Sequence, residues 1–241
     1  MLNVSVLERW IATFYGYGFW TSPYWFIGLE EGGVNGEEEF ADRLNEWSKA
    51  GSPDLLDLRD FHIAIKKTKF FCGERPPFQP TWRPLVRALF AAEEREMSEI
   101  RLREYQAQRL GRFGGETALL ELSPIPAKGT GQRWFRDHEL LARLDLEDLK
   151  RRRRNHLKRL IEQHKPRAVV TYGEMSTWQT DLSLRTTTEA FRVGRYASSV
   201  IVASHFPGKN APTNEHWDRI GRYIRSALGE VSYWSGSLPG A

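Results

Sequence analysis

The chain has 241 residues, 40% of them hydrophobic and 27% charged, with a net charge of +4 and a pI near 9.2; this fits one globular domain with a full core and permits a polyanionic partner without requiring one. A single cysteine, Cys72, excludes an internal disulfide, a cysteine-built zinc site and an iron-sulfur cluster, and points to a reducing, cytoplasmic setting. No stretch approaches the roughly 18 consecutive apolar residues of a membrane span, and the N-terminus lacks a basic region followed by an apolar core, so an unexported protein with no membrane partner is expected.

The first 22 residues form an N-terminal helical region: Val4, Leu7, Ile11 and Phe14 recur at helical spacing, with Asn3 or Ser5 available as a cap. Tyr24, Trp25, Phe26 and Ile27 then have the composition of a buried strand. The run breaks at Gly28 into Glu30, Glu31, Gly32 and Gly33. In an open α/β sheet, ligands bind beyond the carboxyl ends of the strands, so these two acids stand where chemistry is done. The same residues also suit a solvated acidic turn. Residues 37–47 carry Phe40, Leu44 and Trp47 on one face, which predicts a helix packed on the sheet.

Residues 53–71 contain Asp54, Asp57, Asp60 and His62, whose spacing reads as one solvated helix face rather than a metal site. No metal is expected. A proline-rich loop over 75–84 ends at Thr81, a candidate N-cap for a helix running through Leu85, Leu89 and Phe90. Its Phe78 and Trp82, with Arg75 and Arg83 nearby, suit stacking a base and holding phosphate, and suit core packing equally. The densely charged residues 93–108 read as a solvated helical extension.

A second buried strand begins at Thr117 and stops at Pro124 and Pro126, carrying Glu121 inside an apolar run. A buried unpaired charge is costly, so Glu121 must face a partner or lie at the open end of the sheet. Lys128 and Arg133 in the following glycine-containing loop suit a phosphate backbone. Residues 146–164 form the most basic element, with four arginines from Arg151; the preferred reading turns Leu149, Leu157, Leu160 and Ile161 inward and the cations outward, ahead of a helix that tracks DNA. A third strand at 168–172 turns at Gly173 into a helix. A fourth at 199–203 leads into Ser204-His205-Phe206-Pro207-Gly208-Lys209-Asn210, followed by a helix over about 213–228 and an irregular tail at 231–241.

Four strands alternating with helices predict a single α/β domain over 1–241, a three-layer α/β/α arrangement around a mostly parallel four-stranded sheet. Crossover topology brings the ends at Glu30, Glu121 and His205 to one edge. No P-loop or Gly-x-Gly-x-x-Gly motif occurs, which argues against nucleotide-cofactor chemistry, and no Gly-x-Ser-x-Gly, which argues against a nucleophile elbow.

Over roughly 24–228 the chain resembles the uracil-DNA glycosylase superfamily. Gly28-Leu29-Glu30 is similar to the motif ending that family's first strand, with Glu at the position of an Asp or Asn. The run from Lys165-Pro166 to Gly173 resembles a later strand, and Ser204-His205-Phe206-Pro207-Gly208 resembles the His-Pro-Ser-type motif, with Phe206 inserted. The resemblance implies a uracil-DNA glycosylase-like fold and a monofunctional enzyme, without cofactor, that flips a nucleotide and cuts its base from deoxyribose. Glu30 would then face the oxocarbenium-like sugar, Glu31 would share that role or be structural, and His205 would donate to the base carbonyl. Where the uracil enzymes carry a base-reading Asn, this chain has Glu121. An ionised Glu only accepts and so selects an exocyclic amine over uracil. The expected substrate is a modified cytosine, such as the hydroxymethylated or glucosylated cytosine of phage DNA, in phage defence or DNA repair. Phe78, Trp82 and Gly28 would line the base pocket, and Lys128, Arg133, Lys209, Asn210 and Phe206 would contact DNA, with the protein a monomer. The alternatives are a uracil or mismatched-thymine glycosylase and a non-catalytic DNA-binding domain.

Overall fold

The computed structural model describes residues 2–127, 134–139, 141–187, 190–207 and 213–234. In chain order the elements are α1 (Val4–Thr13), β1 (Gly16–Tyr17), β2 (Tyr24–Gly32), α2 (Glu37–Lys49), β3 (Leu55–Leu56), α3 (Leu58–Ala64), α4 (Trp82–Ala92), α5 (Glu99–Gln108), β4 (Thr117–Ala127), α6 (Leu146–His164), β5 (Ala168–Tyr172), α7 (Met175–Asp181), β6 (Arg185–Thr186), β7 (Arg192–Tyr196), β8 (Ser199–Ser204) and α8 (Asn214–Trp234), with short 3-10 turns between some of them.

The strands form one sheet in the order β3-β1-β4-β2-β5-β8-β7-β6. The four expected strands are its contiguous centre, since β2 pairs in parallel with β4 and β5, and β5 in parallel with β8. The sheet nevertheless has eight strands and is mixed, because β1 runs antiparallel to β4, and β7 to β8. β1, β3 and β6 are only two residues long, too short to imprint an alternating pattern on the sequence. Along β2, Tyr24 and Phe26 join the core beneath α1 to α5 and α8, and Trp25 and Ile27 join the core beneath α6 and α7. Helices therefore cover both faces.

β4 does not stop at its prolines. Its register with β2 jumps from the Glu30–Ser123 pair to the Gly32–Ala127 pair, a bulge that absorbs Pro124 and Pro126 where no amide proton is needed. Two indoles donate to the displaced carbonyls, Trp10 to that of Pro124 at 2.6 Å and Trp134 to that of Pro126 at 3.0 Å. The carbonyls of the bulge are thus satisfied by side chains.

Other local expectations are also corrected. The N-terminal region is one ten-residue helix followed by a strand. Thr81 makes no capping bond; Gln79 Oε1 instead accepts from the amides of Thr81 and Trp82. α5 buries Leu102, Tyr105 and Gln106, so it is part of the core and not a solvated extension. α8 runs through residues 231–234, which the sequence reading assigned to the tail; the rest of that tail lies outside the described residues.

On α6, three cations point inward. Arg153, 3% exposed, lies over the Tyr15 ring and donates to the carbonyls of Ile11, Phe14 and Glu121. Lys150 and Arg154 bind Glu174, and Arg154 also binds Asp181. Long cationic side chains carry donors that reach orphaned carbonyls and carboxylates inside the fold, an option that an apolar-stripe reading overlooks.

Candidate active site at the carboxyl edge of the sheet

The parallel strands β2, β4 and β5 deliver Gly28, Glu121 and Tyr172 to one place. Gly28 and Glu121 are register partners. A Cβ on residue 28 would lie 2.5 Å from Glu121 Oε2 and 2.7 Å from the Tyr172 hydroxyl. The glycine therefore makes room for the protein's own carboxyl and phenol, and no base can sit directly on it. Glu121 Oε2 is buried and has no hydrogen-bond partner among the described residues, while the residue as a whole stays partly accessible.

Burial pushes the Glu121 carboxyl well above the usual carboxylate range, and the nearby carboxylates of Glu31 and Glu30 push it further, against a weaker opposing pull from Arg153. This environment favours the neutral form of Glu121 over the ionised, acceptor-only form expected from the sequence. A neutral carboxyl both donates and accepts. The Tyr172 phenol is likewise raised well above its ordinary value, by burial above all.

Glu30 lies two residues beyond Gly28 on β2, opposite Ser123 and just before the bulge. Glu31 is held differently. Its Oε1 accepts from the Tyr17 hydroxyl at 2.8 Å and from Arg43 at 2.6 Å, and Arg43 is only 3% exposed. The Tyr17 phenol is raised well above its usual value, first by burial and then by the Glu31 charge. His62 Nε2 stands 3.7 Å from the same oxygen. Burial draws His62 down to about 4, so it is neutral near pH 7; its Nδ1 lies 2.8 Å from the Leu58 carbonyl, to which it donates. The contact with Glu31 is therefore not an ion pair. His62 does not lie on a solvated face, and Asp57 caps α3 and pairs with Arg112.

The remaining expected residues distribute as follows. Trp82 packs edge-on against His62 at 5.8 Å and so borders this polar cluster. Phe78 lies under the guanidinium groups of Arg83 and Arg103, at 4.6 and 4.0 Å, so its ring is engaged by protein cations away from Glu121. Phe206 is 39% exposed and lies 5.8 Å from the Tyr172 ring. His205 follows Ser204, the register partner of Tyr172, and is exposed without a hydrogen bond among the described residues. It stands at the correct edge but is not linked to either carboxylate. Lys128, Arg133, Lys209 and Asn210 lie outside the described residues. No group that could hold a metal occurs among the described residues, and no helix there is long and apolar enough to cross a membrane.

Tyr17, Arg43, His62 and Tyr172 were missed as site residues. Arg43 carried a usable signal, since it shares the buried stripe of Phe40, Leu44 and Trp47, and a cation in an apolar stripe calls for a buried acid. Tyr172, the last residue before Gly173, carried a weaker one. The chain matches no protein-family model, and no curated protein matches its sequence.

Proposed function

We propose that the protein is a monofunctional DNA N-glycosylase that hydrolyses the bond between deoxyribose and a flipped, modified cytosine, such as the hydroxymethylated or glucosylated cytosine of phage DNA, leaving an abasic site. It would act as a cytoplasmic monomer with a uracil-DNA glycosylase-like fold, in phage defence or in DNA repair. The observation that carries this reading is the buried Oε2 of Glu121, unpartnered among the described residues and fixed over Gly28 two residues from Glu30. A carboxylate at Glu30 faces the positive charge that develops on the sugar and takes a proton from the attacking water. Glu31 is occupied by Arg43 and Tyr17 and keeps a structural role.

A neutral Glu121 offers its carbonyl oxygen to the exocyclic amine of cytosine and its hydroxyl to ring N3. Its neighbours are carboxylates, which favour a base able to take up positive charge. Cytosine N3 is basic and uracil N3 is not. Phe206 offers an exposed ring beside Tyr172 for a flipped base or a neighbouring one, and His205 stands free to donate to the base carbonyl.

A second reading is favoured by one specific observation, the raised Glu121 carboxyl. A neutral acid also meets uracil or thymine, by exchanging the duties of its two oxygens, so excision of uracil or mismatched thymine is the alternative. The test is a panel of duplexes containing uracil, G:T mismatches, hydroxymethylcytosine or glucosylated cytosine, assayed for abasic sites and freed base by mass. Release of a modified cytosine, abolished in Glu30→Gln with DNA binding kept, is the expected result. Release of uracil alone selects the second reading, and DNA binding without any release rejects both.

A further inference from the structure

We propose that Glu121 is the general acid of this reaction, passing its carboxyl proton to ring N3 of the departing base as the C1′–N1 bond breaks. The inference rests on the glycosylase reading and assigns Glu121 a catalytic role beyond recognition.

The geometry comes first. A proton donor must hold a fixed direction toward its acceptor. Glu121 is held by its register pairing to Gly28, and its Oε2 is packed into the space beside the Tyr172 phenol where residue 28 has no side chain. That oxygen has no hydrogen-bond partner among the described residues, so the carboxyl keeps bonding capacity unused. A buried polar atom left unsatisfied is disfavoured unless a ligand completes it.

Burial first, and then the surrounding charges, push the Glu121 carboxyl up. From β2 it faces Glu30 and Glu31, from β1 Tyr17, from β5 Tyr172 and from α6 Arg153. Arg153 is the one cation among them, and its guanidinium donates to the backbone carbonyl of Glu121. Burial and the two carboxylates outweigh it, in line with the raised carboxyl.

The step balances without a co-reactant other than water. The N3 lone pair takes the Glu121 proton, the C1′–N1 bonding pair leaves with N1, and the base departs neutral. The sugar cation gains the water oxygen, and Glu30 takes one water proton. The proton gained at Glu30 returns through solvent to Glu121, restoring both groups.

The experiment is the single-turnover rate of modified-cytosine release against pH for the native protein and for Glu121→Gln, which keeps size and hydrogen bonding but cannot transfer a proton. The native rate falls as pH rises and Glu121 ionises. Glu121→Gln is slower by about 10²- to 10⁴-fold and loses that high-pH fall. A companion measurement needs no catalysis: binding of free 5-hydroxymethylcytosine weakens with rising pH for the native protein and is flat for Glu121→Gln. Release by Glu121→Gln at the native rate with the high-pH fall retained overturns the general acid and leaves the glycosylase reading intact. Failure of the native protein to release any base from DNA overturns the glycosylase reading, and the acid with it.

Discussion

Glu121 fills the space of a missing side chain on Gly28: its Oε2 lies 2.5 Å from the point where a Cβ on residue 28 would be, beside the Tyr172 hydroxyl. Gly28→Ala must push aside the ends of two side chains and leaves the backbone of β2 and β4 in register. The expected result is a folded protein destabilised by ~1–3 kcal/mol, the range for overpacking, with base release lost. Denaturant unfolding and the abasic-site assay on one preparation check both halves. Full activity in Gly28→Ala would mean that the Glu121 position is irrelevant to the chemistry.

Arg43 is the cation paired with Glu31 inside the fold. Arg43→Met removes it and leaves a largely buried carboxylate with only the Tyr17 hydroxyl as donor. Breaking one side of a buried pair costs ~3–5 kcal/mol. A loss of unfolding free energy of that size in urea titration, restored in part by adding Glu31→Gln, is the expected outcome.

His62 makes stability depend on acidity. Its pKa falls from 6.5 to about 4 on folding, with burial the main cause. The unfolded chain therefore binds more protons than the folded one between those values. The contribution is complete above pH 6.5 and is lost as pH falls toward 4, amounting to about 3 kcal/mol. Unfolding free energies at pH 7.5 and pH 4.5 should differ less in His62→Gln than in the native protein. An equal difference in both proteins would assign the acid sensitivity to other groups.

The basic run of α6 separates into two classes. Arg153→Met strands three backbone carbonyls in the interior and is expected to cost about 3 kcal/mol or more. Arg151→Ala and Arg152→Ala break only exposed pairs with Asp148, so each should change stability by no more than about 0.5 kcal/mol. Melting curves of the three variants distinguish an anchor from a solvated face.

These contrasts indicate what was readable in advance. The central strands were legible because each joins a continuous apolar run to a glycine or proline break, as in Tyr24 to Gly28 and Ala168 to Gly173. Glu121 was legible as an anomaly, since a lone acid in such a run has few ways to be tolerated. The two-residue strands were not legible, because pairing at that length is decided by the neighbouring strand. Nor was the raised Glu121 carboxyl, which burial sets first and Glu31 and Glu30, approaching from another strand, push further. The roles of Arg43 and Arg153 were hidden for a related reason: a guanidinium at the end of a long side chain bonds atoms more than a hundred residues away as readily as nearby ones, as Arg153 does with Ile11.

The crossing of α4 and α8 has a mechanical consequence. Gly221 lies so close to the backbone of Ala88 and Ala92 that no side chain fits there, and Arg87 clamps Asp218 through two hydrogen bonds. α4 begins at Trp82, on one rim of the candidate site, and α8 follows the segment that bears His205 and Phe206, on the other. With backbone seated on backbone, the two helices behave as a single strut. Any opening at that edge then falls to the segments joined to that strut, and a graft that replaced either helix alone would lose the spacing between the rims.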